Sequence, residues 1–393
     1  MPPPPGHEVP RELAADVTLR PSHATVLTGV RRCGKSTLQA QLMRRRKRAF
    51  YCNLEDTRLF GMGPADFPAF LSVLDEVAGP RSAVFLDEVQ EVPEWQRLVR
   101  ALLDRGRTVC VTGSNASLLG RELGTRLTGR HLSFEVFPFS YAEYLAFNRL
   151  DPGAASMRAF LDDGGFPSFL SKRQDTVLQA LLRDIVQRDV AARHRLRDTR
   201  HVMNLALFLL ANTGQPYSFQ TLTKNLAVPT VGQTSRYVEH LKDAYLLCAV
   251  PKFSASFKQR VVAPAKYYAI DNGLRRANSP HGQPDLGHRL ENAVALHLRR
   301  TTRDVSYAGE RGLWECDFIV PDAAIQVCLE LTPSNRAREL RGVAEGTRLR
   351  GRRRAIVVTF DQADRLIEDG LEIEVVPAWQ WMAPGRKRRR VSN

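Results

Sequence analysis

Gly29-Val30-Arg31-Arg32-Cys33-Gly34-Lys35-Ser36 follows the apolar run Ala24-Thr25-Val26-Leu27-Thr28 and precedes Thr37-Leu38-Gln39-Ala40-Gln41-Leu42. The octapeptide has the pattern G-x-x-x-x-G-K-[S/T]; the run before it reads as a strand and the segment after it as a helix. Glycines at both ends let the loop turn tightly and aim successive N–H groups at a phosphate, with the positive end of the helix behind them. Lys35 is expected to reach the β and γ phosphates, and Ser36 to offer its hydroxyl to Mg²⁺. The residues from Gly29 to Thr37 are therefore the expected nucleotide-binding set. A chance match in a glycine-rich turn is the alternative, and the strand, loop, helix order weighs against it.

A second element has the matching chemistry. Ser82-Ala83-Val84-Phe85-Leu86-Asp87-Glu88 is a buried-strand pattern that ends in two acids. Asp87 at such a strand end is expected on the Mg²⁺ shell, and Glu88 as the base that orients and deprotonates an attacking water, because phosphoryl transfer needs mainly positioning and charge stabilisation. A further strand ends in Val111-Thr112-Gly113-Ser114-Asn115, where either Ser114 or Asn115 suits a hydrogen bond to the γ-phosphate or the water. Arg121, Arg126 and Arg130 lie before the last strand-like run, where they either supply an arginine that neutralises transition-state charge in a neighbouring subunit or form a solvated basic face. Asn53-Leu54-Glu55-Asp56 either faces the nucleotide or forms a strand-end turn.

Strand-like runs at Ala24 to Thr28, Ala49 to Asn53, Ala83 to Leu86, Thr108 to Thr112 and Leu132 to Phe137 alternate with helical patterns. That alternation predicts an α/β fold with a parallel sheet covered on both faces, and ligands in such sheets bind at the carboxyl ends of the strands.

Composition bounds the rest. The 393 residues are enough for two or three domains; 43% are hydrophobic and 25% charged, as in a globular protein. No apolar run approaches the ~20 residues needed to cross a bilayer, and the start lacks an apolar signal core. A cytoplasmic protein with no membrane role is expected. Six scattered cysteines have neither CxxC pairing nor zinc spacing, and read as reduced thiols. Cys33 inside the loop is either an inert small residue or a point where oxidation blocks the nucleotide. The formal charge of +15 favours an acidic polymer, and nucleic acid first among these, although an arginine-rich genome also produces such a balance.

The stretches GVRRCGKSTL, YCNLEDTRLF, FLDEVQEVPEWQRLVRALLDRG, VTGSNASLL and LTGRHLSFEVFPFSYAEYL resemble the AAA-type ATPase domain of a widespread prokaryotic family of uncharacterised ATPases. The resemblance runs from about Val17 to about Trp381. It implies a helical lid, a winged helix and a C-terminal restriction-endonuclease-like domain after the P-loop core, a homo-oligomer forming a ring of about six, and Arg130, the arginine of LTGR, as the finger. The expected order is a Pro-rich lead-in over 1–20, the ATPase core over 21–147, the lid over 148–200, the winged helix over 201–263, the endonuclease-like domain over 264–383 and a basic tail over 384–393.

The residues of the later segments bear on these expectations. Met203 to Leu210, Ser218 to Leu226 and Thr230 to Ala244 form a three-helix pattern, and the extended run Tyr245 to Val250 with the basic segment Lys252 to Arg260 follows as a hairpin. As a winged helix this would present Gln233, Ser235, Arg236 and Lys242 to the major groove of DNA, with Lys252, Lys258 and Arg260 on phosphates. The same unit also serves as a packing module. Further on, Glu291 opens a helix and Asp317 lies in a strand, matching two acids of the endonuclease-like pattern. In the next strand Gln326 stands where a carboxylate belongs and Cys328 where a lysine belongs, and Glu330 is one repeat too far along to replace either. A degenerate domain used for binding is the expectation. The sequence thus points to an ATP- and Mg²⁺-dependent oligomeric ATPase that binds DNA as motor or switch. An ATP-gated nuclease and a nucleotide-dependent protein-interaction switch are the alternatives.

Overall fold

The computed structural model describes residues 8–115, 127, 129–254, 256, 263–279, 286–349, 351 and 354–383. The chain forms two compact units, Met1–Pro138 with Asp243–Tyr245, and Phe139–Lys242 with Leu246–Asn393.

The first unit is built on β1 (Ala24–Thr28), β2 (Ala49–Asn53), β3 (Ala83–Asp87), β4 (Val109–Gly113) and β5 (His131–Glu135). They form one sheet in the order β2-β3-β4-β1-β5, with every pairing parallel. The α/β parallel sheet expected from the alternation is therefore present, with the last two strands starting one residue away from the expected positions. Strands β1, β3 and β4 are buried along their whole length, which is why they read as unbroken apolar runs, while the edge strands β2 and β5 are not. Helices α1 (Lys35–Arg44), α2 (Phe67–Ala78) and α3 (Trp95–Asp104) cover the sheet. In α3 the residues Trp95, Leu98, Val99 and Leu102 recur at helical spacing and enter the same core as Val26, Val84, Leu86 and Val111. Each such side chain contributes roughly 1.5–3 kcal/mol on burial. The carboxyl ends of the strands thereby rest on a rigid floor.

Residues 8–19 pack onto this unit instead of trailing from it. Val9, Ala14, Val17 and Leu19 are buried. Arg45 and Arg46, just beyond α1, donate to the carbonyls of Ala14 (2.7 Å) and Leu19 (3.0 Å).

The second unit begins with α4 (Tyr141–Asn148), started by a capping box in which Ser140 and Glu143 satisfy each other's backbone N–H. There follow α5 (Ala154–Asp163), α6 (Pro167–Lys172) and α7 (Asp175–Asp184), which runs on as a π-helical segment over Ile185–Ala192. Next come α8 (Arg200–Ala211), β6 (Pro216–Tyr217), α9 (Phe219–Asn225), α10 (Val231–Asp243), β7 (Leu247–Val250) and β8 (Ala265–Ala269). The three strands form a small antiparallel sheet in the order β6-β8-β7, so β7 pairs with β8 and the basic segment connects the two.

After α11 (Asn272–Asn278) and α12 (Leu286–Thr301) come β9 (Ser306–Glu310), β10 (Trp314–Ile319), β11 (Ala323–Val327), α13 (Arg336–Arg348), β12 (Arg354–Thr359), β13 (Asp364–Glu368), β14 (Leu371–Pro377) and α14 (Ala378–Trp381). The six strands make a mixed sheet in the order β13-β14-β12-β11-β10-β9. Leu290, Val294 and Leu298 of α12 share a core on one face with Phe318, Ile325 and Val358, and Met157 and Leu161 of α5 belong to it. Leu340 and Val343 of α13 pack on the other face with Cys316 and Ile319. This approach is close: a Cβ on Gly342 would lie 2.1 Å from the Glu315 carbonyl oxygen.

Candidate nucleotide site

The loop from Gly29 to Gly34 joins the carboxyl end of β1 to the first residue of α1. Gly29 has φ 151° and a Cβ there would lie 2.0 Å from the Val136 carbonyl oxygen, so only glycine fits. Arg32 takes the left-handed φ of 63°, which curls the backbone into the concave form that collects N–H groups. The first-turn N–H groups of α1 at Lys35, Ser36 and Thr37 have no carbonyl one turn back within the helix. Lys35 is buried and its Nζ donates to the carbonyls of Gly29 (3.1 Å) and Val30 (3.3 Å), so the ammonium is held against its own loop. Val30 is buried, Arg31 and Ser36 are half-buried and Arg32 is exposed. Cys33 is buried with its Sγ 3.2 Å from the Val136 carbonyl oxygen, and burial pushes its thiol up against the pull of Lys35 and Arg11. That environment favours the inert thiol over the oxidisable one.

The register Asn53↔Asp87 and Thr28↔Gly113 brings the strand ends to one edge of the sheet. Asp87 is buried; its Oδ2 accepts from Tyr51 Oη at 2.9 Å and its Oδ1 from the Thr112 hydroxyl. Burial and the Asp87 charge raise the Tyr51 phenol, so it stays a donor. Thr112 Oγ1 also accepts from the Glu88 N–H at 3.0 Å. Glu88 has φ 53°, a left-handed conformation that non-glycine residues adopt at a cost of about 1–3 kcal/mol, and its carboxylate accepts from Gln90. Ser114 and Asn115 are both buried where β4 ends. Gln39 of α1 donates to the carbonyls of Leu86 (3.0 Å) and Cys110 (3.2 Å), tying the loop's helix to β3 and β4.

Three contributors escaped the sequence reading. Tyr51 and Thr112 become partners of Asp87 only through the strand register. Arg11 comes from the segment read as a lead-in: it is 4% exposed, and it donates to the carbonyls of Cys33 (2.8 Å) and Phe137 (2.6 Å), bracing the loop from behind. Asn53 accepts from the Glu55 N–H and Asp56 pairs with Arg58, so this stretch is the strand-end turn. Arg121 and Arg126 lie outside the described residues. Arg130 precedes β5 at the opposite end of the sheet from the loop, where its carbonyl accepts from the Ala24 N–H and its guanidinium pairs with Asp104 at 2.6 Å. A loop with this shape, an ammonium, a hydroxyl and a strand-end carboxylate is a donor set that fits a Mg²⁺-bound nucleotide.

The second unit holds a separate ionic cluster. Lys266 of β8 is buried, with Nζ 2.6 Å from Glu315, 3.2 Å from Asp317 and 3.4 Å from Glu291. Burial opposes its charge, and Asp317, Glu291 and Glu315 more than reverse that, so the ammonium is raised above its ordinary range. Asp317 is pushed up to about 7 by burial and the Glu291 charge, against the pull of Lys266. The ammonium beside these carboxylates thus comes from β8. Gln326 donates to Glu339 of α13 at 2.7 Å and accepts from the Asp317 N–H at 3.3 Å. Cys328 is buried, and burial raises its thiol to about 12. Glu330 is exposed, and its carboxylate accepts from Gln362 at 3.4 Å. Among the described residues no group of three or more His, Cys, Asp and Glu is arranged to hold a metal ion.

Of the groove-facing residues expected on α10, Arg236 is exposed, whereas Gln233 and Ser235 are half-buried, and Gln233 donates to Tyr237 Oη at 2.7 Å. This corrects the expected exposed face: Thr234 and Tyr237 turn into the core and draw Gln233 and Ser235 toward it. Lys242 pairs with Glu239. Lys252 forms a bridge to Tyr307, while Lys258, Arg260 and the tail at 384–393 lie outside the described residues. Among the described residues no helix is long and apolar enough to cross a membrane.

Comparison with known proteins fits this geometry. Residues 21–145 match an AAA domain, and residues 156–285 match a domain of unknown function (DUF8612). Over 381 residues the chain is 30% identical to an uncharacterised protein of Haemophilus influenzae, an alignment that covers 90% of this chain and 93% of that one. Over 399 residues it is 28% identical to an uncharacterised protein of Methanocaldococcus jannaschii, covering 93% and 89% respectively.

Proposed function

This chain belongs to one family with the uncharacterised Haemophilus influenzae protein and carries an AAA domain over residues 21–145, and on that premise we propose that it hydrolyses ATP to ADP and phosphate as an oligomeric, DNA-binding motor or switch. The observation that carries the hydrolysis is the hydrogen-bonded group at the ends of β3 and β4, where Tyr51 and Thr112 fix Asp87 and Thr112 also holds the strained backbone of Glu88. In the proposed reaction Lys35 would leave its loop carbonyls for the β and γ phosphates, Ser36 and Asp87 would hold Mg²⁺, and Glu88 would align the attacking water. Ser114 or Asn115 bonds the γ-phosphate. The ion neutralises charge on the phosphates when bound.

DNA binding is supported by the charge of +15 and by the order α8-β6-α9-α10-β7-β8, with the three strands in one small antiparallel sheet, which is the order of a winged helix. The proposal takes 148–200 as lid, a winged helix that begins at 201 and runs past the expected 263 to include β8, and the chain from there to 383 as a degenerate endonuclease-like domain. It does not extend to strand cleavage, because Gln326 stands where a carboxylate belongs and is bonded to Glu339.

The test is ATPase rate with and without duplex DNA. Lys35→Ala is expected to lose nucleotide binding, and Glu88→Gln to keep binding while turnover falls by about a hundredfold or more, the scale on which a positioning or base group acts. Turnover in Glu88→Gln equal to wild type would reject the assigned chemistry. A rate indifferent to any DNA, with no duplex bound at low salt, would leave a nucleotide-dependent protein-interaction switch.

A further inference from the structure

Between the π-helical segment and α8 the chain reads Arg193-His194-Arg195-Leu196-Arg197-Asp198-Thr199-Arg200, four arginines against one aspartate. The helix stops here because Arg195 takes φ 52°, and the N–H groups of Arg195 and Leu196 fold back to the carbonyls of Ala192 and Ala191. Arg195 and Arg197 are exposed by this reversal and Arg193 is half-buried. The single aspartate is taken by Arg200, at 2.8 Å. Among the described residues Arg193, Arg195 and Arg197 have no ion-pair partner.

The same turn is fastened to α10. The His194 ring stacks on His240 with centroids 3.5 Å apart and planes 13° from parallel. Arg236 lies four residues before His240, one helical turn, so the two side chains share a face. It is exposed and likewise has no ion-pair partner among the described residues. Burial, His194 and the Arg236 charge pull His240 down to about 4, so its ring in the stack is neutral near pH 7. The result is one basic surface made by a turn and a helix face.

Resting on the DNA-binding proposal above, we infer that Arg193, Arg195, Arg197 and Arg236 form a docking surface for the phosphate backbone of duplex DNA. A single small anion needs donors that converge on a cavity, whereas these four are spread over a turn and a helix face, which suits charge repeated along a polymer. All four are arginine, whose planar fork matches phosphate oxygens. Leu196 is half-buried, so the turn offers no exposed apolar anchor for a bilayer surface. The surface also gives α10 a role at DNA without Gln233 or Ser235 reaching a base.

The experiment is fluorescence anisotropy of a labelled duplex with the full chain across a salt series. Replacing Arg195, Arg197 and Arg236 together (Arg195→Gln, Arg197→Gln, Arg236→Gln) is expected to flatten the slope of log affinity against log salt by about 0.9 per lost contact, roughly 2.7 in all. A control carrying Arg58→Gln and Arg365→Gln, both exposed and outside this surface, is expected to keep the wild-type slope. If the triple variant melts early, the single changes Arg195→Gln and Arg236→Gln, each expected to flatten the slope by about 0.9, carry the test. A wild-type slope in a well-folded triple variant overturns this surface and leaves DNA binding standing elsewhere. Absence of duplex binding by the wild type overturns both. Polyglutamate bound as tightly as duplex, and lost with it in the triple variant, overturns the assignment to nucleic acid in favour of an acidic protein.

Discussion

Thr112 is the residue through which the nucleotide site is most finely set. One hydroxyl donates to Asp87 and accepts from the Glu88 N–H, so it fixes the proposed metal carboxylate and the proposed base together. Thr112→Val keeps the shape and the β propensity but removes both bonds. A hydrogen bond to a charged group is worth about 1.5–3 kcal/mol, so turnover is expected to fall roughly ten- to a hundredfold. Nucleotide affinity, set by the loop and Lys35, is expected to stay within about threefold. Thr112→Ser should restore most of the rate. Equal losses in affinity and turnover, measured by nucleotide titration beside steady-state kinetics, would mean that Thr112 only holds the strand. Loop, lysine, hydroxyl and paired acids were legible in the sequence because each is part of a contiguous pattern. Thr112, Tyr51 and Arg11 were not, since no local pattern distinguishes a strand threonine or tyrosine that bonds a neighbouring strand, or an arginine in a Pro-rich stretch that returns to brace the loop.

At the level of elements, the parallel strands were readable for a physical reason: burial on both faces leaves continuous apolar runs with acids and small polar residues only at their ends. The cluster in the second unit was half readable. Glu291 on α12 and Asp317 on β10 were identified, but their counter-charge comes from β8, and the partner of Gln326 comes from α13. Neither follows from the spacing within any one segment. Lys266→Met is expected to destabilise the second unit by about 3–5 kcal/mol, because three carboxylates lose the ammonium among them. The loss depends on pH. The folded-state pKa of Asp317, about 7, lies above the ordinary unfolded value near 3.9. Its ionisation therefore costs nothing below about pH 4, and the cost grows as pH rises to about 7. Removing Lys266 raises that pKa further, so the gap to wild type should be narrow near pH 5 and widest above 7. Lys266 stays charged throughout, its own folded value being raised. Denaturant unfolding followed through Trp314, Trp379 and Trp381 reads this unit, with Trp95 reporting on the other. A gap that does not change between acid and alkaline pH would show that the cluster packs without electrostatic consequence.

For the whole molecule, the position of Arg130 decides whether one chain can complete the proposed reaction. β1 and β5 run parallel, with Ala24 opposite His131 and Thr28 opposite Glu135. Arg130 thus lies at the start of β5 and the phosphate loop at the far end of β1, separated by about five residues of strand, roughly 16 Å. No rotamer change carries its guanidinium to the γ-phosphate of its own chain. If Arg130 is a finger it must serve a neighbour, releasing Asp104 as it does so. Lys35→Ala removes a site but keeps the finger, and Arg130→Ala removes the finger but keeps the site, so each alone is expected to be nearly inactive. In an equal mixture, an interface works when the site comes from the Arg130→Ala chain and the finger from the Lys35→Ala chain. Random head-to-tail assembly makes about one interface in four of that kind. The mixture is therefore expected to recover roughly a quarter of the wild-type rate, with recovery lost on dilution below the assembly concentration. Mass measurement on the same samples shows whether the chains have mixed. Mixed assemblies with no recovered turnover, or full activity in Arg130→Ala alone, would remove Arg130 from the reaction and leave the site of each chain to act by itself.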